Sequence, residues 1–228
     1  MKYRYLFFDM DNTLFDFDAD EDQALTQLFE KQQVALTPTL KADYQAFNQT
    51  LWVQYEQGTL KREALLNTRF ATFFKQALNL TVDGPTLSHQ YLASLALGHD
   101  LMPQSQQLMT ALAQTDAELY VTTNGVAHTQ YQRLIDSQFK SYFKGIFISE
   151  ELGYQKPDPA YFEKVFQQIE DIDLTQALIV GDSLTSDVQG GQNVGVDTAW
   201  YNPNGAVNTS STIKPTHEIK ELLALLAM

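Results

Sequence analysis

Apolar residues fall into short runs separated by stretches with helical spacing. The run Tyr3-Arg4-Tyr5-Leu6-Phe7-Phe8 is aromatic-rich and stops at Asp9-x-Asp11, as a buried strand does where it enters a polar loop. Runs at 118–122, 145–148 and 177–180 read the same way, and 196–200 is a weaker fifth. Between them, helical patterns cover roughly 103–114, 127–138, 158–170, 184–193 and 219–227, the last as one side of a closing helix. Strand alternating with helix predicts an α/β fold with a parallel sheet covered on both faces.

Residues 16–98 break the alternation, because no strand pattern occurs there. Thr37-Pro38 is a helix opening, a cap followed by proline at the first position. Tyr44, Phe47, Leu51 and Tyr55 then recur at helical spacing, and Gly58 closes the element. Thr59 can cap a second helix whose face is Leu66, Phe70, Phe73 and Ala77. Asp83-Gly84-Pro85 is a turn, and Leu87, Tyr91 and Leu95 form a further stripe. The acidic run Asp16, Asp18, Asp20, Glu21 and Asp22 suits the dipole-favoured first turn of the first inserted helix better than a metal site.

Composition narrows the function. The 228 residues carry 15 Lys plus Arg against 28 Asp plus Glu, a formal charge of −13. Such a polyanion lacks the excess cations that displace counterions from nucleic acid, and it is an equally poor ligand for an anionic membrane. An anionic substrate would need a metal ion or a few placed cations to offset the protein's own field. Cysteine is absent, which removes disulfides, thiolate catalysis and zinc–cysteine sites and is compatible with a reducing cytosol. Lys2 and Arg4 precede only four apolar residues before Asp9 and Asp11, too few for a secretory signal, and no run is long enough to span a bilayer. A cytoplasmic location is the expectation.

Four short motifs carry candidate chemistry. Asp9 and Asp11 stand at the carboxyl end of the first strand, the edge where open α/β sheets bind ligands. Residues i and i+2 of an extended segment point the same way, so the two carboxylates can share one site, one as nucleophile and one as general acid and base. An Asx-rich turn explains the same letters. Thr122-Thr123-Asn124-Gly125 suits an oxyanion at a strand-to-helix junction, and equally a helix cap. Lys156, ahead of Pro157-Asp158-Pro159, is either a solvated loop lysine or the cation such a substrate requires. Gly181-Asp182-Ser183, with Asp187 following, adds carboxylates at the same edge. Oxygen-only donors, with no cysteine and no suitable histidine spacing, point to a hard cation, most simply Mg²⁺.

The order of these motifs resembles the haloacid dehalogenase-like hydrolase superfamily. That resemblance implies a Rossmann-like core, residues 1–15 and 99–228, with a helical cap at 16–98. It implies Asp9 as the nucleophile that takes a phosphoryl group and Asp11 as the acid and base. Thr123, Asn124 and Lys156 would hold phosphate. Asp9, the Asp11 backbone carbonyl and Asp182 would hold Mg²⁺, with Asp187 behind them. The family often has glycine where this chain has Asn12. Leu51-Trp52, Tyr55-Glu56-x-Gly58, Arg69-Phe70, Thr123-Asn124-Gly125, Gln130 with Arg133-Leu134, and Trp200-Tyr201-Asn202-Pro203 are similar to the pyrimidine 5′-nucleotidase branch. That branch implies a small-molecule phosphate monoester as substrate. Trp52 and Tyr55 would stack on a flat base, and Arg69 or Arg133 would bond its carbonyls or stabilise the cap contact. Helix packing and surface charge are the alternative roles for these four. Sugar-phosphate and acylneuraminate-phosphate phosphatases share several of the features; a phosphosugar mutase, which returns the phosphate to its substrate, and a haloacid dehalogenase, which would leave Asp11 and Asp182 without a task, are the further alternatives.

Overall fold

The computed structural model describes residues 2–228. By proximity they form two compact units, the chain up to Phe17 with His99–Met228, and Asp18–Gly98. The first unit holds strands β1 (Tyr5–Phe8), β2 (Glu118–Thr123), β3 (Gly145–Ile148), β4 (Ala177–Gly181), β5 (Asp197–Tyr201) and β6 (His217–Ile219). They pair in the order β3-β2-β1-β4-β5-β6, every neighbour parallel.

The central place of β1 explains its unbroken apolar run: both faces are covered, so alternation with polar residues has no use there. Leu6 and Phe8 pack with Leu119, Val121, Leu178 and Val180 on one face, and Phe7 packs with Tyr120 and Ile179 on the other. Phe8 is level with both Val121 and Val180. The chain therefore leaves β1, β2 and β4 at one edge, and Asp9, Thr123 and Asp182 emerge close together.

Four helices, α1 (Phe17–Lys31), α2 (Pro38–Glu56), α3 (Arg62–Leu78) and α4 (Gly84–Leu95), span the stretch without strands. Asp18 and Asp20 do occupy the first turn of α1, but Asp20 and Glu21 are buried rather than solvated. Thr37 caps α2, its hydroxyl accepting from the Leu40 N–H at 3.2 Å. Thr59 does not cap α3. Its hydroxyl donates to the Gln54 carbonyl, and Lys61 precedes the helix instead. The buried face of α3 is Leu65, Arg69, Phe70, Phe73 and Phe74, turned from the expected stripe because the Arg69 side chain is itself interior. Asp83 is the cap of α4, and Leu87, Tyr91 and Leu95 are buried along it.

The remaining helices are α5 (Ser105–Leu112), α6 (Ala127–Asp136), α7 (Ser149–Leu152), α8 (Pro159–Phe166) and α9 (Gln189–Val194). The pattern over 184–193 resolves into a π-helical turn, Leu184–Val188, followed by α9. The expected closing helix is absent. Ile219 ends β6, and Leu222–Ala227 is a 3₁₀ segment that buries Leu222 and Leu225. Their spacing of three suits 3.0 residues per turn. Among the described residues, no helix is long and apolar enough to cross a membrane.

Candidate active site

At the carboxyl edge of the sheet the structure gathers four charged side chains. Asp9 is 8% exposed and Lys156 1%. The Lys156 ammonium donates to Asp9 Oδ1 at 2.7 Å, Asp187 Oδ1 at 2.6 Å and the Thr122 carbonyl at 2.9 Å, so its three donors are used. Asp187 is brought in by the π-helical turn, where its other oxygen accepts from the Ser183 N–H at 3.2 Å. Gly181 makes this possible, since a Cβ there would stand 2.1 Å from Asp187 Oδ2. Asp182 is half-buried and is fixed through its backbone: its N–H donates to Thr13 Oγ1 at 3.0 Å, and its carbonyl accepts from the Trp200 indole at 2.7 Å.

Burial pushes the Asp9 carboxyl up to about 7; the Lys156 ammonium opposes that shift, and the Asp187 and Asp11 charges add to it. Burial, with the Asp9 and Asp187 charges, also holds Asp182 well above the ordinary carboxylate range. For Lys156, burial alone would lower the pKa, but Asp187 and Asp9 overcome it and keep the ammonium charged. Three carboxyl groups thus face one cation, and the cluster is net negative once they ionise. Oxygens of Asp9, Asp182 and Asp187 lie within 4.8 Å of one another. That all-oxygen, net-negative donor set fits a hard divalent cation.

Asp11 points elsewhere. Arg133 Nη1 donates to its Oδ1, and Gln130 Nε2 donates to its Oδ2 at 2.8 Å. Directly after Asp11 the chain turns through Asn12 at φ 56°, a left-handed position that asparagine tolerates, so the family's frequent glycine is not needed here. Thr123 Oγ1 accepts from the Gly125 N–H and from Gln130 Nε2, both at 3.0 Å. Asn124 spends its amide on the Lys156 backbone, donating to the carbonyl at 3.0 Å and accepting from the N–H at 2.9 Å. It therefore sets the lysine loop and does not turn its side chain to a phosphate.

The residues expected at the base are placed differently. In the helical unit Trp52 is half-buried and meets Tyr55 edge-on at 5.8 Å, while Tyr55 is buried. Arg69 is interior, with Nη2 donating to Ser88 Oγ at 3.2 Å and the guanidinium over Tyr91 at 4.6 Å. It is no surface charge, and it shows no face to a ligand. Arg133 is wholly buried beside Asp11. Sequence reasoning gave no task to Thr13 or to the Trp200 indole; the signal was their place at the same edge, Thr13 in the loop after β1 and Trp200 near the end of β5.

A family model described as haloacid dehalogenase-like hydrolase matches residues 3–195. HAD-hydrolase YfnB of Bacillus subtilis (strain 168) is 44% identical over 221 residues, 97% of this chain and 93% of that protein. Pyrimidine 5′-nucleotidase PynA of Streptococcus pneumoniae is 41% identical, covering 96% of this chain and 92% of its own length. Pyrimidine 5′-nucleotidase YjjG of Escherichia coli (strain K12) is 33% identical, covering 98% and 99%. The magnesium-bound crystal structure of YfnB superimposes with a TM-score of 0.93 at 44% identity, over 100% of this chain and 98% of that one. An L-2-haloacid dehalogenase from Xanthobacter autotrophicus, at a TM-score of 0.75 and 15% identity over 98% and 96% of the two chains, shares the fold alone.

Proposed function

Because the chain belongs to the haloacid dehalogenase-like hydrolases, we propose that it is a cytoplasmic, Mg²⁺-dependent phosphatase acting through an aspartyl-phosphate on pyrimidine nucleoside 5′-monophosphates. The observation that carries the chemistry is the division of labour between two carboxylates. Asp9 sits against Lys156 in a buried, net-negative cluster, and Asp11, two residues on, is held apart from it.

An oxygen of Asp9 attacks phosphorus, the bond to the ester oxygen breaks, and Asp11 gives its proton to the departing alkoxide. Water then attacks the acyl phosphate, Asp11 takes the water's proton, and the bond from Asp9 to phosphorus breaks to release inorganic phosphate. Lys156 orients Asp9 and offsets charge on the transferred group, and Thr123 lies at the same edge to hold a phosphate oxygen. Asp9, Asp182 and the Asp11 carbonyl would hold Mg²⁺, with Asp187 tied to Lys156 behind them. When bound, that ion neutralises phosphate charge and makes the approach of a dianion to a carboxylate tolerable.

The nucleotide substrate is supported by the names of PynA and YjjG, both similar over nearly the whole chain. In this reading residues 16–98 are the cap that selects the leaving group, with Trp52 as the aromatic for a base. Haloacid displacement needs no proton donor and no metal, and would leave Asp11 and Asp182 without a task. A screen of phosphate release across nucleotides and sugar phosphates, with and without Mg²⁺, tests the assignment. Pyrimidine monophosphates such as dUMP or dTMP are expected to exceed hexose phosphates in kcat/KM. A preference for a sugar phosphate overturns the nucleotidase reading and leaves the phosphatase mechanism standing.

A further inference from the structure

We infer that Arg133, with Gln130, is the positioning device for Asp11, and that Arg133 serves proton transfer rather than base recognition; this rests on Asp11 being the acid and base. Gln130 and Arg133 stand three residues apart on α6, so both project from one face of the helix. Between them they take both oxygens of one carboxylate. Arg133 Nη1 meets Asp11 Oδ1 and Gln130 Nε2 meets Asp11 Oδ2 at 2.8 Å. The two clamp residues also fix each other, with Arg133 Nη1 donating to Gln130 Oε1 at 3.0 Å. The guanidinium lies over the Phe15 ring at 5.0 Å.

Three features argue against a substrate contact. Arg133 is 0% exposed, whereas a residue that reads a base must show it a donor. A buried guanidinium is costly unless paired, and here it pairs with the Asp11 carboxylate. The loop before α6 is also shaped for the clamp. A Cβ on Gly125 would stand 2.2 Å from Gln130 Nε2, so the missing side chain at 125 is where the glutamine amide lies. That amide also donates to Thr123 Oγ1 at 3.0 Å, which ties the orientation of Asp11 to the loop after β2. Asp11 itself keeps an exposed portion of its side chain, 29%, and can reach a reacting oxygen.

The decisive measurement is the dependence of kcat on leaving group across substituted phenyl phosphates, which carry no base. A misplaced acid matters most when the leaving group is poor, and misplacement by about an ångström can cost on the order of 10²-fold. For Arg133→Met we expect kcat on phenyl phosphate to fall about 10–100-fold, with 4-nitrophenyl phosphate and both KM values changing no more than about threefold. Asp11→Asn, run in the same series, should steepen the dependence further, and Asp11→Asn/Arg133→Met should be no slower than Asp11→Asn alone, because residues acting as a unit are not additive. If Asp11→Asn keeps the wild-type dependence, the acid reading fails and takes this inference with it. If Asp11→Asn steepens it and Arg133→Met does not, only the inference falls. A raised KM for nucleotides alone returns Arg133 to the substrate. Should Arg133→Met not fold, Gln130→Met removes the donor to the second oxygen and undergoes the same test, with an unchanged dependence overturning the clamp.

Discussion

Each unit of the chain buries a carboxylate, and the two burials are opposite in kind. In the helical unit, Glu21 accepts from the Tyr91 hydroxyl at 2.9 Å, from Gln45 at 3.2 Å and from Asn48 at 3.4 Å. Burial raises its pKa, the Gln45 and Tyr91 hydrogen bonds oppose the rise, and Arg69 lies close enough to lower it further. The Glu21 carboxylate meets the nearby Arg69 charge and three neutral donors, so its own shell is closed, although Asn48 Oδ1 and Arg69 Nε beside it have no hydrogen-bond partner among the described residues. At the sheet edge, Asp9, Asp182 and Asp187 share the single ammonium of Lys156, and the Asp182 carboxylate has no hydrogen-bond donor among the described residues. Like charges are held together there at a cost the fold does not itself offset. A closed network serves packing; an open one of this sign is kept for a cation and for the chemistry that cation permits.

Breaking the open cluster should have the largest effects. Asp9→Asn should abolish phosphate release while circular dichroism and the thermal midpoint stay near wild type, because an amide cannot form the acyl phosphate. Substantial turnover by pure Asp9→Asn protein would end the covalent mechanism. Chelation is next. Excess EDTA should remove activity from the native enzyme, and Mg²⁺ at about a hundred times its Kd should add about 2.7 kcal/mol to the unfolding free energy. Activity that persists in EDTA would mean the open cluster has another purpose. Lys156→Met removes the one cation and leaves two buried carboxylates facing each other. Denaturation without metal should show a loss of about 3–5 kcal/mol, partly recovered with Mg²⁺. A loss below about 1 kcal/mol would show that the ion pair contributes little net stability.

The smallest effect belongs to the closed network and sharpens the contrast. The folded state holds the Glu21 proton more tightly than the unfolded chain does. As pH rises above the ordinary value of 4.5, the unfolded chain loses its proton first, and stability falls until the folded carboxyl has also ionised. Urea denaturation should show that decline in the wild type and a shallower one in Glu21→Gln, where the raised Asp9 and Asp182 carboxyls still contribute, with phosphatase activity unchanged. Equal slopes in the two proteins would place the charge of Glu21 outside the pH response.

What could be read from the chain alone is local. An apolar run that stops at Asp9, another that stops at Thr123 and a third before Asp182 each declare a strand ending in a polar loop, and strand–helix alternation makes those ends meet at one edge. The five longer strands and the inserted helices follow from the same short-range periodicity. What stayed hidden depends on partners distant in sequence. The strand at 217–219 is three residues long and exists because β5 offers it an edge. Leu222 and Leu225 look like helix until only their spacing of three is buried. The letters of α6 place Gln130 and Arg133 on one face, but not that Asp11, more than a hundred residues earlier, would occupy it. Asn124 reads as a phosphate ligand, yet its amide is claimed by the Lys156 backbone. Backbone geometry and hydrophobic period are properties of a few neighbouring residues, so sequence determines them. The destination of a polar side chain is a competition among all the donors and acceptors that packing brings within about 3 Å, and only the tertiary structure decides it.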